Sequence, residues 1–227
     1  MPFSHVSRFT RHSPLLWLTA HHMWRLIYNI LLLVVSPVIV AVLLAKPRCR
    51  PGLPQRLGLE EGSFGLFRLF GAFEQKKPNK PDQPNKPNQP VIWIHAVSLG
   101  EVVGVTPLVN ELHRRHPEYR LVVSTVTETG REAVEQRLAG VADHCYAPLD
   151  FPWVVSRFID RLQPCLYLFV ETELWPNLLW HLRRRGVPTV LVNGRLSTRS
   201  FERQQWAPVR SFYRTMLQTL SLCLMQS

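Results

Sequence analysis

The chain has 227 residues, 46% of them apolar, and a formal net charge of +11. That is enough apolar matter for a real core in one large domain, or in a domain with appendages, and the charge calls for an anionic partner: nucleic acid, a phosphorylated substrate or an acidic membrane surface. The four cysteines, Cys49, Cys145, Cys165 and Cys223, are scattered without CxxC spacing, which argues against a zinc site or a disulfide framework and fits reduced core residues.

Residues 1–25 form a basic N-terminal segment with Arg8, Arg11 and Arg25. No Asp or Glu occurs before Glu60, whereas seven basic residues do, the others being Lys46, Arg48, Arg50 and Arg56. Between them lies the uncharged run "LIYNILLLVVSPVIVAVLLA", residues 26–45, in which 14 of 20 residues are Leu, Ile or Val. As a helix it would be about 30 Å long, the thickness of a hydrocarbon core. At roughly −0.4 kcal/mol per residue its insertion gains about 6 kcal/mol, from which Asn29 and Pro37 subtract. A buried core helix is the competing reading. A cleaved signal peptide fits less well, because the run is long for one and "LLAKPRC" is a poor cleavage site. More basic residues follow the run closely than precede it, which places the C-terminal part in the cytoplasm. Pro37 leaves open whether the segment spans the bilayer or dips into it.

A connecting segment covers residues 46–74. Residues 75–90, "QKKPNKPDQPNKPNQP", repeat the tetrapeptide PNKP and read as an extended, disordered loop, since the prolines remove ladder donors and the polar residues offer no core. Its four lysines lack interleaved aromatics, which argues against nucleic-acid binding.

From residue 91 to residue 227 the texture is that of one α/β domain. "VIWIHAV", "RLVVSTV", "CLYLFV" and "TVLVN" are strands, and "LSLCLM" begins another. Helices are expected from Glu101 to Arg115, in "REAVEQRLAG", from Pro152 to Leu162, in the stretch through Arg185, and from Ala207 to Thr219. Pro107 is expected to kink the first of these or restart it behind Thr106. Alternating strands and helices predict a parallel, doubly wound sheet with ligands at the carboxyl ends of its strands. The loops "SLGE", "TETG", "ETELWPN" and "NGRLS" all fall there.

Two readings of "SLGE" stay open. Ser98 and Glu101 fit a capping box, Ser98 accepting from the amide of residue 101 and Glu101 reaching back to the amide of residue 98. Gly100 in the first turn would instead let a ligand approach closely. Glu171 should stand at the sheet rim, and Glu173 can serve as first-turn charge for the helix after Trp175-Pro176. Carboxylates at two neighbouring strand ends suit a site handling sugars or phosphates, one accepting a proton and the other stabilising positive charge. Arg195 and Arg199 read either as solvated charge or as phosphate-binding groups. His95 reads as a packed strand histidine.

The set "WIHAVSLGE", "PLVNELHRRHP", "STVTETG", "ETELWPNLLW" and "NGRLSTRS" resembles the N-terminal half of 3-deoxy-D-manno-octulosonic acid (Kdo) transferases, from Val91 to the end of the chain. The resemblance implies a Rossmann-like N-terminal domain of the two-domain GT-B type that binds the acceptor, here preceded by a membrane helix. It implies Kdo transfer from CMP-Kdo to a lipid A precursor at the cytoplasmic face of the inner membrane, with no metal or cofactor. Carried over by position, Glu101 is the proton acceptor, Glu171 supports the transition state, and Ser98, Gly100, Arg195 and Arg199 contribute to acceptor binding. The chain stops where the family enters its CMP-Kdo-binding domain. A half-length enzyme, inactive alone or served by a separate donor-domain chain, is therefore expected. The alternative is a non-catalytic membrane-bound lipid A-binding module or a gene remnant.

Overall fold

The structure is a computed structural model and describes residues 14–45, 52–58, 89–171, 173–194 and 206–226. Arg195 and Arg199, Cys49 and most of the PNKP segment lie outside the described residues.

Six parallel strands form one sheet: β1 (Val91–His95), β2 (Arg120–Thr125), β3 (Asp143–Tyr146), β4 (Pro164–Val170), β5 (Thr189–Gly194) and β6 (Leu222–Met225). Their order is β3-β2-β1-β4-β5-β6, the Rossmann order, and the direction of winding reverses between β1 and β4. These two strands pair directly, with Ile94 opposite Leu168 and His95 opposite Phe169.

The connecting helices are α3 (Leu99–Arg115), α4 (Glu128–Arg137), α5 (Pro152–Leu162), α6 (Pro176–Arg184) and α7 (Ala207–Leu217). Strand alternation sends Ile92 and Ile94 into one core with Val102, Val105 and Val109 of α3 and Val134 of α4. It sends Trp93, Tyr167 and Phe169 into another with Phe158 of α5, Leu179 of α6 and Met216 of α7. Each face of the sheet is thus covered, which is why its central strands are largely apolar.

Helix α3 runs through Pro107 without a break, so the proline neither stops nor restarts it. Thr106 turns its hydroxyl back onto the Val102 carbonyl at 2.7 Å. Helix α4 starts at Glu128, one turn earlier than the sequence suggested. The Thr127 hydroxyl caps it by accepting from the Gly130 N–H at 3.1 Å.

Helix α1 (Pro14–Ala45) is long, contains Pro37, and includes a stretch, His22–Leu43, apolar and long enough to cross a membrane. It packs on the outer side of the α5/α6/α7 layer. Trp24 and Tyr28 meet Phe212 of α7, and Leu43 joins a small core with Leu53, Leu149, Phe151 and Val154. A short helix, α2 (Leu53–Arg56), closes that corner.

Candidate functional site

Helix α3 and the carboxyl ends of β4 and β5 enclose a cavity of about 320 Å³ at the winding reversal. Gly100, Glu101 and Gly104 line it from the first turns of α3, Glu171 from the end of β4, and Val192 and Asn193 from β5. The fold thus brings Glu101 and Glu171, separate in sequence, to one cavity on adjacent strand ends.

Glu101 sits one turn into α3, whose N-cap is Ser98. Neither bond of the expected capping box forms. Ser98 makes no side-chain cap bond to the helix, and its hydroxyl donates instead to Glu101 Oε1 at 3.1 Å. Glu101 Oε2 accepts from the Val97 N–H at 2.8 Å rather than from the amide of residue 98. Burial raises the Glu101 pKa above the usual carboxylate value, opposed by those two donors and reinforced by the charges of Glu173 and Glu171. A half-buried carboxylate with a raised pKa at a cavity wall is a better proton acceptor than a solvated one.

Glu171 is held with φ at 61°, in the left-handed region. Its N–H bonds the Val192 carbonyl at 3.1 Å, which fixes the turn. Asn193 on the opposite wall has φ 56°. Asn tolerates this region; Glu does so at a cost of order 1 kcal/mol. The backbone is therefore strained at the residue that carries the second carboxylate.

Gly100 and Gly104 present bare backbone to the same space. A Cβ on either would meet no atom within 4 Å.

The remaining loops have supporting roles. Glu173 accepts the Trp175 indole N–H at 3.0 Å, and Trp175 stands edge-on to the His95 ring. His95 itself is buried on the opposite face of β1, its Nδ1 2.9 Å from the Ser124 hydroxyl, and burial lowers its pKa to about 4. In "TETG", Glu128 is taken up by Arg131 and by the Tyr146 hydroxyl. That loop braces the site through the Val126 and Thr127 amides, which both donate to the Val97 carbonyl.

Asp150 is a functional residue that sequence reasoning missed. This buried carboxylate accepts from the Asn177 and Leu178 N–H groups, at 3.0 and 2.9 Å, and so caps the N-terminus of α6, where Glu173 was the candidate. It also accepts the Tyr28 hydroxyl of α1 at 2.8 Å. Beside it Asn29 of α1 and Asn177 exchange amide hydrogen bonds of 3.2 and 2.9 Å. Burial pushes the Asp150 carboxyl up to about 7, against the pull of the three donors. The available signal was polar residues in apolar settings, "IYNI" in α1 and "PLDFP" before α5.

A family model described as 3-deoxy-D-manno-octulosonic-acid transferase (kdotransferase) matches residues 67–227. The chain belongs to the Kdo transferase family. It is 35% identical over 204 residues to a Haemophilus influenzae 3-deoxy-D-manno-octulosonic acid transferase, covering 90% of this chain and 43% of that one. It is 40% identical over 121 residues to the Bordetella pertussis transferase of the same description, covering 51% and 28%. The chain therefore spans less than half the length of these Kdo transferases. Among solved structures, a UDP-GlcNAc 2-epimerase from Neisseria meningitidis bound to UDP-GlcNAc is similar with a TM-score of 0.39 at 12% identity, over 57% of this chain and 38% of that one.

Proposed function

We propose that this chain forms the acceptor side of a membrane-associated Kdo transferase. The observation that carries the reading is the shared cavity: Glu101, with a raised pKa, and Glu171, in a strained turn, line one space at the winding reversal of the sheet. A hydroxyl of a lipid A precursor enters beside Glu101 and attacks the anomeric carbon of Kdo in CMP-Kdo. The bond from that carbon to the CMP oxygen breaks, CMP leaves, and Glu101 takes the hydroxyl proton. Glu171 stabilises the positive charge that develops on the sugar ring. Ser98 orients the base by donating to it, Gly100 clears space for the acceptor, and Arg195 and Arg199 hold its phosphates. The reading uses no metal or cofactor, and the CMP-Kdo site belongs to the C-terminal portion that the longer relatives carry. The apolar helix α1 keeps this domain at the inner membrane, facing the cytoplasm, where an acceptor with lipid chains is found.

The test is Glu101→Gln, assayed for Kdo transfer with the C-terminal portion of the Haemophilus influenzae relative fused or co-expressed. Gln keeps the contacts to Val97 and Ser98 but cannot take a proton, so a loss of about a hundredfold in rate is expected. The thermal melt should stay unchanged. Near-normal transfer by the variant would leave Glu101 as a helix cap.

A further inference from the structure

We propose that α1 lies in the plane of the membrane as a lipid-facing strip, instead of crossing the bilayer, and that its partner is the acidic surface of a single leaflet. This deepens the membrane-associated reading above and rests on it.

The domain covers one stripe of α1. Trp24, Tyr28, Asn29, Leu32, Ile39 and Leu43 recur at helical spacing along one stripe and all meet the domain. From Trp24 to Leu43 this docked stripe is about 28 Å long at 1.5 Å per residue. That is nearly the full hydrocarbon thickness of about 30 Å. A helix standing upright in the bilayer would drag the whole docked flank into hydrocarbon, α6 and α7 beside Trp24 to Asn29 and α2 and α5 beside Leu32 to Leu43. That flank carries exposed Arg184, Arg210 and Arg214. Releasing the helix would instead expose Asp150 and the Asn29–Asn177 pair, which α1 helps to cover.

The opposite face of α1 is apolar and open. Leu26, Leu33, Val34 and Val38 are 62–69% exposed. An ordinary in-plane helix has a polar side that faces water; here the protein domain occupies that side, which explains how so apolar a helix can still lie flat. Two further features mark the level of the headgroups. Exposed tryptophans flank the docked helix: Trp206 leads into α7, which meets Trp24, and Trp153 stacks on Phe151 beside Leu43. Tryptophan favours the membrane interface. Around the Trp24 end, Arg25 lies over the Trp180 ring and within electrostatic reach of Arg184, while Arg210 adjoins Ser211, the partner of Trp24. This cationic rim complements anionic headgroups.

The experiment places a nitroxide label at Leu26, Leu33, Val38 or Ala41, one at a time. Each is introduced by a cysteine substitution in the full chain with the four native cysteines changed to Ser. The chain is bound to vesicles of phosphatidylethanolamine and phosphatidylglycerol, and depth is read from collision with oxygen against a water-soluble nickel complex. Each variant is first checked by thermal melting. The in-plane helix predicts lipid-buried labels whose depths agree within about 5 Å, the helix radius plus label scatter. A depth that runs from one interface to the other, about 22 Å from residue 26 to residue 41, overturns the proposal yet leaves membrane association standing. Labels that read as water-exposed overturn lipid as the occupant. A second measurement needs no labels: Arg184→Gln and Arg210→Gln should each weaken binding to these vesicles about fivefold and leave binding to pure phosphatidylcholine unchanged. Equal loss on both lipids would refute the charge complementarity. None of these readouts involves Kdo transfer, so a failure of the Glu101 reading is seen separately.

Discussion

Two carboxylates in this molecule have pKa values raised by burial, and they do opposite things. Asp150, between α1 and the start of α6, is buried and saturated by two backbone N–H groups and a phenolic hydroxyl. Glu101, at the start of α3, is half-buried, holds two donors and still faces a cavity. A perturbed pKa therefore does not mark a chemical group by itself. Access does: the sealed carboxylate holds a structure together, and the one open to a cavity can exchange its proton. Both regions hang on the segment after β4. Its strained end, Glu171, faces the cavity, and its other end, Asn177, seats α1.

The widest separation should come from truncating each carboxylate. Asp150→Ala leaves three donors without an acceptor and should cost about 4 kcal/mol, a fall of about ten degrees in Tm. Glu101→Ala should cost about 1 kcal/mol, the loss of a cap contact, and, on the proposed role as base, stop transfer by the fused protein of the assay above. Equal destabilisation by both would end the distinction.

Next in size is a pH effect at the sealed His95. Its folded pKa of about 4 lies below the ordinary 6.5. Between those values the unfolded chain takes up a proton that the folded chain refuses. The stability that neutral His95 contributes is thus full above pH 6.5 and is lost as pH falls toward 4. The loss should be about 3 kcal/mol. Denaturant unfolding of the native chain and of His95→Gln across that range should show this difference closing. A constant difference would mean that His95 is reached by solvent.

Smallest is Glu171→Gly. Glycine relieves the left-handed strain, so stability should hold or rise by about 1 kcal/mol while, on the proposed role of Glu171, transfer by the fused protein falls. A destabilised variant would place Glu171 with Asp150 as a structural group.

Much of the fold was legible in the residues. Helix α5 has the predicted bounds, since Pro152 sets its start and the chain turns at Gln163. The central strands were visible as apolar runs. Strand β3 is not among the strands the sequence predicts, because it is four residues long, lies at the sheet edge and opens with Asp143. For the site, strand ends and carboxylates pointed to Glu101 and Glu171 as neighbours, and the parallel sheet placed them so. The roles of Glu128 and Asp150 were not legible. Glu128 looked like a rim residue until Tyr146 and Arg131 engaged it. Asp150 depends on partners 27, 28 and 122 positions away, and no local pattern encodes such pairings.

Gly100 and Gly104 make the cavity wall a steric gauge. A methyl group at either position touches nothing in the protein. Alanine there should even favour the helix by about 1 kcal/mol. Any penalty it brings must then be felt by the molecule inside, so a series from alanine through serine to valine measures how closely the occupant approaches α3. The fold is a silent background to that measurement, and the two positions, one helical turn apart, report on the occupant's width at two depths.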